Sequence, residues 1–362
     1  GTTSMERLAS KRARAEAFCA EAPHARLHFF MALEGGNIDA GMDELKRAAE
    51  QRAAVGVKFF IGGTTGVGAS GGEAVLERVL AEVDLVVAVH AEDESVIKRH
   101  TDALAVPRSR AEFFAYHEAS RPVEAAVAAV TSALSALGRA GGRLHLCHLS
   151  SRAEIEAAQR AVAGWAGLSE ARAGARAPSV SLEICPHHAS FSVDARFELL
   201  DGKSSAFLKV NPPIRHEVER VALEAAVLDG GLEGLIVGSD HAPHTVAEKS
   251  GRSIAEVPSG VPGVETIWLW LHSLVERGQL APERAAALGA GNAARRFGLD
   301  GLGAVVPGAI ADLALRPRGG GFVPLDAASL YSRCAWTPFV GHMLPSPPTL
   351  VLLGGSVVVD RR

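Results

Sequence analysis

Four residues able to bind a metal or move a proton close four separate apolar runs. Lys58 stands in Val55-Gly56-Val57-Lys58-Phe59-Phe60, and His90 follows Val86-Val87-Ala88-Val89. His148 ends Leu144-His145-Leu146-Cys147-His148, and Asp240 follows Leu235-Ile236-Val237-Gly238-Ser239. One histidine at a strand end is more often a satisfied core residue than a ligand. Four such groups in separate units point to one shared site. Neutral imidazoles and a carboxylate are ordinary ligands of Zn²⁺. A lysine within an apolar strand either snorkels, pairs with an acid, or serves chemistry. In the last case burial would depress its pKa, and the neutral amine could add carbon dioxide to become an anionic carbamate able to bridge two metal ions. Asp240 would complete the site and accept the proton of the nucleophilic hydroxide.

Further candidates lie on loops. Asp240-His241-Ala242-Pro243-His244 places His244 where it could hold an anionic substrate group, or simply lie on a surface loop. Lys209-Val210-Asn211-Pro212-Pro213 offers Asn211 either as an amide for ring recognition or as the start of a proline turn. Pro258-Ser259-Gly260-Val261-Pro262-Gly263 is a rigid turn, and its Pro262-Gly263 backbone could face a planar cyclic amide. Cys185-Pro186-His187-His188 is ambiguous: one of the two histidines could face the site, or be solvent-exposed, or play a supporting role. His145, three residues before His148, is expected on the opposite strand face and structural.

The elements that must carry these residues alternate. Strand-like runs cover 26–33, 55–61, 85–90, 143–149, 180–185 and 235–239. Helical stretches fall at 5–22, 42–54, 73–82, 122–137, 152–163, 217–228 and 264–277. Near-continuous apolar strands separated by helices predict a parallel sheet with helices outside. No glycine-rich phosphate turn follows the first strand, and polar residues end many strands. Both features favour a (β/α)8 TIM-type barrel over an open doubly wound sheet. Only six of eight strands are legible. At roughly 30 residues per βα unit, two units are expected before Gly1. The stretch 169–178 reads as a surface loop. The barrel is expected to span 1–300 and a small β appendage 301–362, with strands at 311–316 and 349–360.

Composition sets outer limits. Apolar residues make up 48% of 362, enough for a large core, and the net charge of −4 gives no reason to expect nucleic acid or a membrane surface as partner. The longest apolar runs, such as Leu85 to Val89, are strand-length. Four widely spaced cysteines without a CxxC pair fit reduced thiols and a cytoplasmic setting.

Taken in order, VGVKFF, HAEDE, CHLS, CPHH, KVNPPIR, SDHAPHT and PSGVPGVET resemble the amidohydrolase superfamily, and in combination its dihydroorotase branch. The resemblance runs from Met5 to Asp312 and into the β appendage. It implies Lys58 as a carboxylated bridging ligand, His90 and His148 as ligands of one metal, and Asp240 as ligand and general acid/base. It also implies substrate contacts from Asn211, His244 and Pro262-Gly263. Zn²⁺, two ions per site, is the implied cofactor. The second ion depends on a His-x-His pair that the family carries on its first strand and that this sequence lacks; His24 and His28 are four apart. Either the sequence omits an N-terminal segment or the chain is a degenerate homologue, and omission is the expectation. The implied reaction is reversible hydrolysis of L-dihydroorotate to N-carbamoyl-L-aspartate, with a small molecule as partner. A homo-oligomer or association with a pathway enzyme would be compatible. The rivals are a hydantoinase or allantoinase, and a non-catalytic homologue that binds a partner enzyme.

Overall fold

A computed structural model describes residues 2–21, 25–63, 68–165, 176–194, 199, 201–251, 256–317 and 319–361. Six parallel strands form one sheet in sequence order: β1 (Phe30–Ala32), β2 (Gly56–Ile61), β3 (Val86–Ala91), β4 (Gly142–Leu146), β5 (Pro178–Ile184) and β6 (Ile236–Val237). Strictly sequential parallel order with helical crossovers is the arrangement of a (β/α) barrel. Among the described residues the pairing ends at β1 on one side and β6 on the other. Beyond β6, His241 bridges Val261 in parallel.

The helices are α1 (Met5–Glu21), α2 (Ile38–Glu50), α3 (Glu73–Glu82), α4 (Glu94–Ala103), α5 (Arg110–Ser120), α6 (Val123–Ala140), α7 (Arg152–Trp165), α8 (Pro186–Ser190), α9 (Glu217–Leu228), α10 (Val246–Lys249), α11 (Ile267–Glu276), α12 (Pro282–Ala286) and α13 (Asn292–Phe297). Residues 169–175 of the expected loop lie outside the described residues, and its end, Pro178, opens β5. The helix expected at 42–54 starts earlier because Asn37 caps it, accepting from the Ala40 N–H at 3.1 Å. Six helices, α4, α5, α8, α10, α12 and α13, escaped the pattern reading. Of these, α4 and α5 carry side-chain N-caps, Asp93 and Ser109 respectively.

The core lies between sheet and helices. All six residues of β3 are buried, and Val57 and Phe59 of β2 are fully so. Each such apolar side chain contributes roughly 1.5–3 kcal/mol by leaving water. The stretch 112–140 is long and apolar enough to cross a bilayer by length and composition. It is broken at Arg121-Pro122, however, and α6 buries eight of its residues in the core layer.

After α13 the pattern turns antiparallel. β7 (Leu313–Leu315), β10 (Leu350–Leu353) and β11 (Ser356–Asp360) form one small sheet, and β8 (Phe322–Pro324) pairs with β9 (Met343–Pro345). The run 349–360 is therefore a hairpin, where one strand was expected. Gly354 and Gly355 both take positive φ, 58° and 84°, the backbone that a tight hairpin turn demands.

Candidate active site

Strand register decides which side chains can meet. Lys58 pairs with Ala88 and Phe60 with His90. Ala88 pairs with His145, His145 with Ser181, and Glu183 with Ile236. Because side chains alternate along a strand, Lys58, His90, His145 and Glu183 share one face. His145 was expected on the opposite face from His148. That count fails because β4 ends at Leu146 and His148 takes a left-handed backbone, φ 39°. The turn brings His148 to the face that alternation denies it.

Of the predicted ligands, Lys58, His90 and His148 are brought together with Asp240 in electrostatic reach. His90 Nδ1 lies 3.1 Å from His148 Nε2, and both rings are almost fully buried. Burial, then the neighbouring His90 and Lys58, pushes the His148 pKa far down, which keeps its lone pairs available. Asp240 also takes a left-handed backbone, φ 40°. Positive φ in a non-glycine residue costs energy and clusters at functional sites. Asp240 is exposed at the rim yet ringed by protein. Crowding raises its carboxyl pKa, with Lys58 opposing.

Lys58 corrects one expectation. Burial lowers its pKa, but Cys147, Asp240 and Glu183 outweigh burial and the net shift is upward. Its Nζ donates to Cys147 Sγ at 3.2 Å and stands 5.2 Å from the centre of the Phe60 ring. Without metal, the ammonium form is the favoured one.

Four supporting groups, Glu92, Arg121, Glu183 and Cys147, escaped the sequence reading. Glu92 is fully buried, with Oε2 3.2 Å from His90 Nε2. Arg121 clamps it, Nη2 to Oε2 at 2.6 Å and Nε to Oε1 at 3.0 Å. Burial opposes the ionised carboxylate, but Arg121 wins and holds the Glu92 pKa far below its ordinary value. Glu92 thus stands beside the Nε2 edge of the His90 ring, while the Nδ1 edge faces His148. Glu183 accepts from the His148 N–H at 3.1 Å and faces His145 Nε2 at 3.4 Å. Gly238 lets the Glu183 carboxylate come close, since a Cβ there would meet it at 2.2 Å. The signal for Glu92 and Glu183 was positional: each lies on the polar face of an otherwise apolar strand end. Cys147, whose ligand atom lies with those of His145 and Glu183 within 4.8 Å, gave no pattern of its own.

The loop candidates gather as a second group. Ser259 Oγ donates to Asn211 Oδ1 at 3.1 Å, and His244 Nε2 lies 3.2 Å from the Ser259 carbonyl. Pro262 O accepts from Thr337 Oγ1 at 3.1 Å, and the Gly263 N–H donates to His241 Nδ1 at 3.1 Å. The Ala242 N–H bonds Val261 O at 3.1 Å, which ties this wall to the Asp240 loop. Both histidines of the CPHH pair are buried, which removes the solvent-exposed alternative; His188 Nε2 meets Pro212 O at 2.9 Å, and among the described residues His188 Nδ1 and His187 Nε2 have no hydrogen-bond partner. Two cavities lie away from this chemistry. One of about 920 Å³ runs between α11, α12 and β7, and one of about 340 Å³ lies between α6 and α7.

No family model matches the chain. It is 36% identical over 285 residues to a dihydroorotase of Halobacterium salinarum, covering 77% of this chain and 58% of that protein. It is 31% identical over 329 residues to a dihydroorotase of Methanosarcina acetivorans, covering 89% of this chain and 66% of that protein. To an allantoinase of Rubrobacter xylanophilus it is 31% identical over 352 residues, covering 94% of this chain and 71% of that protein. Among solved structures, the L-hydantoinase of Arthrobacter aurescens superposes with a TM-score of 0.79 at 25% identity, covering 99% of this chain and 75% of that one. The chain thus spans about three fifths of the Halobacterium protein and three quarters of the hydantoinase. The (β/α)8 architecture, the ordered ligand-type strand ends and these likenesses agree, and the chain belongs to the amidohydrolase superfamily, among the cyclic-amide hydrolases that include dihydroorotases and allantoinases.

Proposed function

We propose that this chain carries the catalytic face of a dihydroorotase, which opens the ring of L-dihydroorotate to N-carbamoyl-L-aspartate and closes it in reverse. The observation that carries the reading is the facing pair of buried imidazoles, His90 Nδ1 and His148 Nε2 at 3.1 Å, beside Lys58 on one sheet face. Two imidazoles presented so closely, with a carboxylate and a lysine beside them, suit a cation. The left-handed backbones of His148 and Asp240 are strain that ligation would justify.

His90 and His148 would hold one Zn²⁺, with Asp240 and Lys58 completing the donor set. Lys58 would do so as a carbamate, formed when its ammonium gives up a proton and the resulting amine adds carbon dioxide with release of a second proton. When bound, the metal supplies Lewis-acid polarisation and a water ionisable near neutral pH. Asp240 takes a proton from the attacking water and returns it to the ring nitrogen as the C–N bond breaks. Asn211, His244 and the Pro262-Gly263 backbone form the wall that orients the ring, with His244 assigned to the substrate carboxylate. A second ion, a cytoplasmic location, and a homo-oligomeric or pathway-partner assembly belong to the same reading. So does a division into a barrel over 1–300 and an appendage over 301–362.

Allantoinase activity is the second reading, favoured by a likeness to the Rubrobacter protein that extends over 94% of the chain. Zn²⁺-loaded protein assayed on L-dihydroorotate, allantoin and a 5-substituted hydantoin separates the two. We expect kcat/KM for dihydroorotate to lead by at least about tenfold, a difference of about 1.4 kcal/mol. A lead for either of the other rings would reassign the substrate.

A further inference from the structure

The strap that carries Asn211 is held by buried basic side chains from three different helices. The Lys209 carbonyl accepts from Lys249 Nζ at 3.1 Å and from the Gly260 N–H at 2.9 Å. The Val210 carbonyl lies 2.8 Å from His117 Nε2, and the Pro212 carbonyl 2.9 Å from His188 Nε2. These side chains come from α5 (His117), α8 (His188) and α10 (Lys249), and their exposures are 6%, 2% and 1%. The carbonyls on both sides of Asn211 are therefore tied down by groups sealed from water.

Lys249 is the least expected of the three. A buried ammonium ordinarily needs an acid. Here it donates to carbonyls only: Lys209, Pro258 at 2.9 Å and Gly260 at 3.0 Å. The neighbouring Lys209 Nζ donates to Val257 O at 2.6 Å. Burial and then Lys209 pull the Lys249 pKa down to about 7. One side chain thus stitches the 209–212 strap to the 258–260 loop whose Ser259 holds Asn211. Gly260 allows the seam to close: at φ 141° it lies where a Cβ would strike the Ala242 carbonyl at 2.6 Å. Fixing a recognition group before the ligand arrives saves ordering entropy on binding.

We propose that His117, His188 and Lys249 are positioning residues that lock the Asn211 strap against the 258–260 loop, holding the Asn211 amide ready for the substrate ring. This rests on the reading of Asn211 as part of the substrate wall. It also assigns His188 of the CPHH motif to the strap.

The test uses the full chain and the Lys249→Met, His188→Phe and His188→Gln variants, the last of which keeps a side-chain N–H donor. Hydrogen exchange at 209–211 and 259–260 is followed together with KM, kcat and bound zinc. Lys249→Met and His188→Phe are expected to speed exchange at these amides by at least about tenfold, roughly the loss of one hydrogen bond. They should raise KM at least about fivefold, with kcat and zinc content near wild type, and His188→Gln should recover most of both effects. Unchanged exchange in both disruptive variants would overturn the proposal, as would a loss confined to kcat. If wild type opens no cyclic amide, the proposed function fails, while the exchange readout still decides whether the lock exists.

Discussion

Replacing Glu92 by Gln should weaken both the fold and the metal site through a residue that touches neither solvent nor substrate. Glu92 is fully buried, and the Arg121 side chain that clamps it is 13% exposed. Removing one partner of a buried ion pair costs about 3–5 kcal/mol. Glutamine keeps one oxygen to accept from Arg121, so the lower end, about 3 kcal/mol, is expected. The His90 ring also loses the carboxylate beside its Nε2 edge, and such outer-shell losses reduce metal affinity about 10–100-fold. Urea unfolding at pH 7 and zinc competition with a chelator measure the two effects. The pH dependence adds a signature. The folded-state pKa of Glu92 lies below its ordinary 4.5, so its stabilisation is complete above 4.5 and is lost as pH falls through the folded value. The gap between wild type and Glu92→Gln should therefore be widest at neutral pH and narrow in acid. A stability loss under about 1 kcal/mol together with unchanged zinc affinity would refute the clamp.

Other expectations follow from the same geometry. Asp240→Asn should lower turnover about 10²–10⁴-fold with the fold intact, because an amide cannot carry the proton; an active variant retaining more than about a tenth of wild-type rate would remove Asp240 from proton transfer. His244→Ala should raise KM for dihydroorotate at least about tenfold and leave zinc content unchanged, since a hydrogen bond to a charged group is worth roughly 1.5–3 kcal/mol. Equal losses on an uncharged ring would assign His244 to structure. Burial lowers the pKa of His117 to about 3 and of His188 to about 4, from an ordinary 6.5. The unfolded chain thus binds more protons in that window, and unfolding free energy should fall as pH drops from about 6.5 toward 4. His188→Gln should flatten part of that slope, and an unchanged slope would mean that His188 is not held neutral.

The sheet was legible because its strands are apolar runs that end in ligand-type residues, a pattern that survives without any tertiary knowledge. Lys58, His90, His148 and Asp240 could be named because each punctuates such a run. Side-chain facing beyond the strand ends was not legible. His148 escapes alternation through a left-handed backbone, and His145 was misplaced as a result. Helices α8, α10, α12 and α13, missed together with α4 and α5, run six residues or fewer, too short for a helical period to show. The Lys58 pKa also ran against expectation, since its partners Cys147 and Glu183 come from other strands. Lys249 and His117 sit in unremarked sequence; only the fold carries them to the Asn211 strap.

The central claim is that Lys58, His90, His148 and Asp240 form one metal-dependent hydrolytic site. Turnover of L-dihydroorotate against zinc bound per chain tests it, with chelator-stripped protein reloaded stepwise in the presence of bicarbonate. Stripped protein should be inactive, activity should rise in proportion to bound zinc, and His90→Ala should lose zinc and turnover together. Ring opening that persists in stripped protein, or a His90→Ala variant that binds zinc and turns over as wild type does, would contradict it.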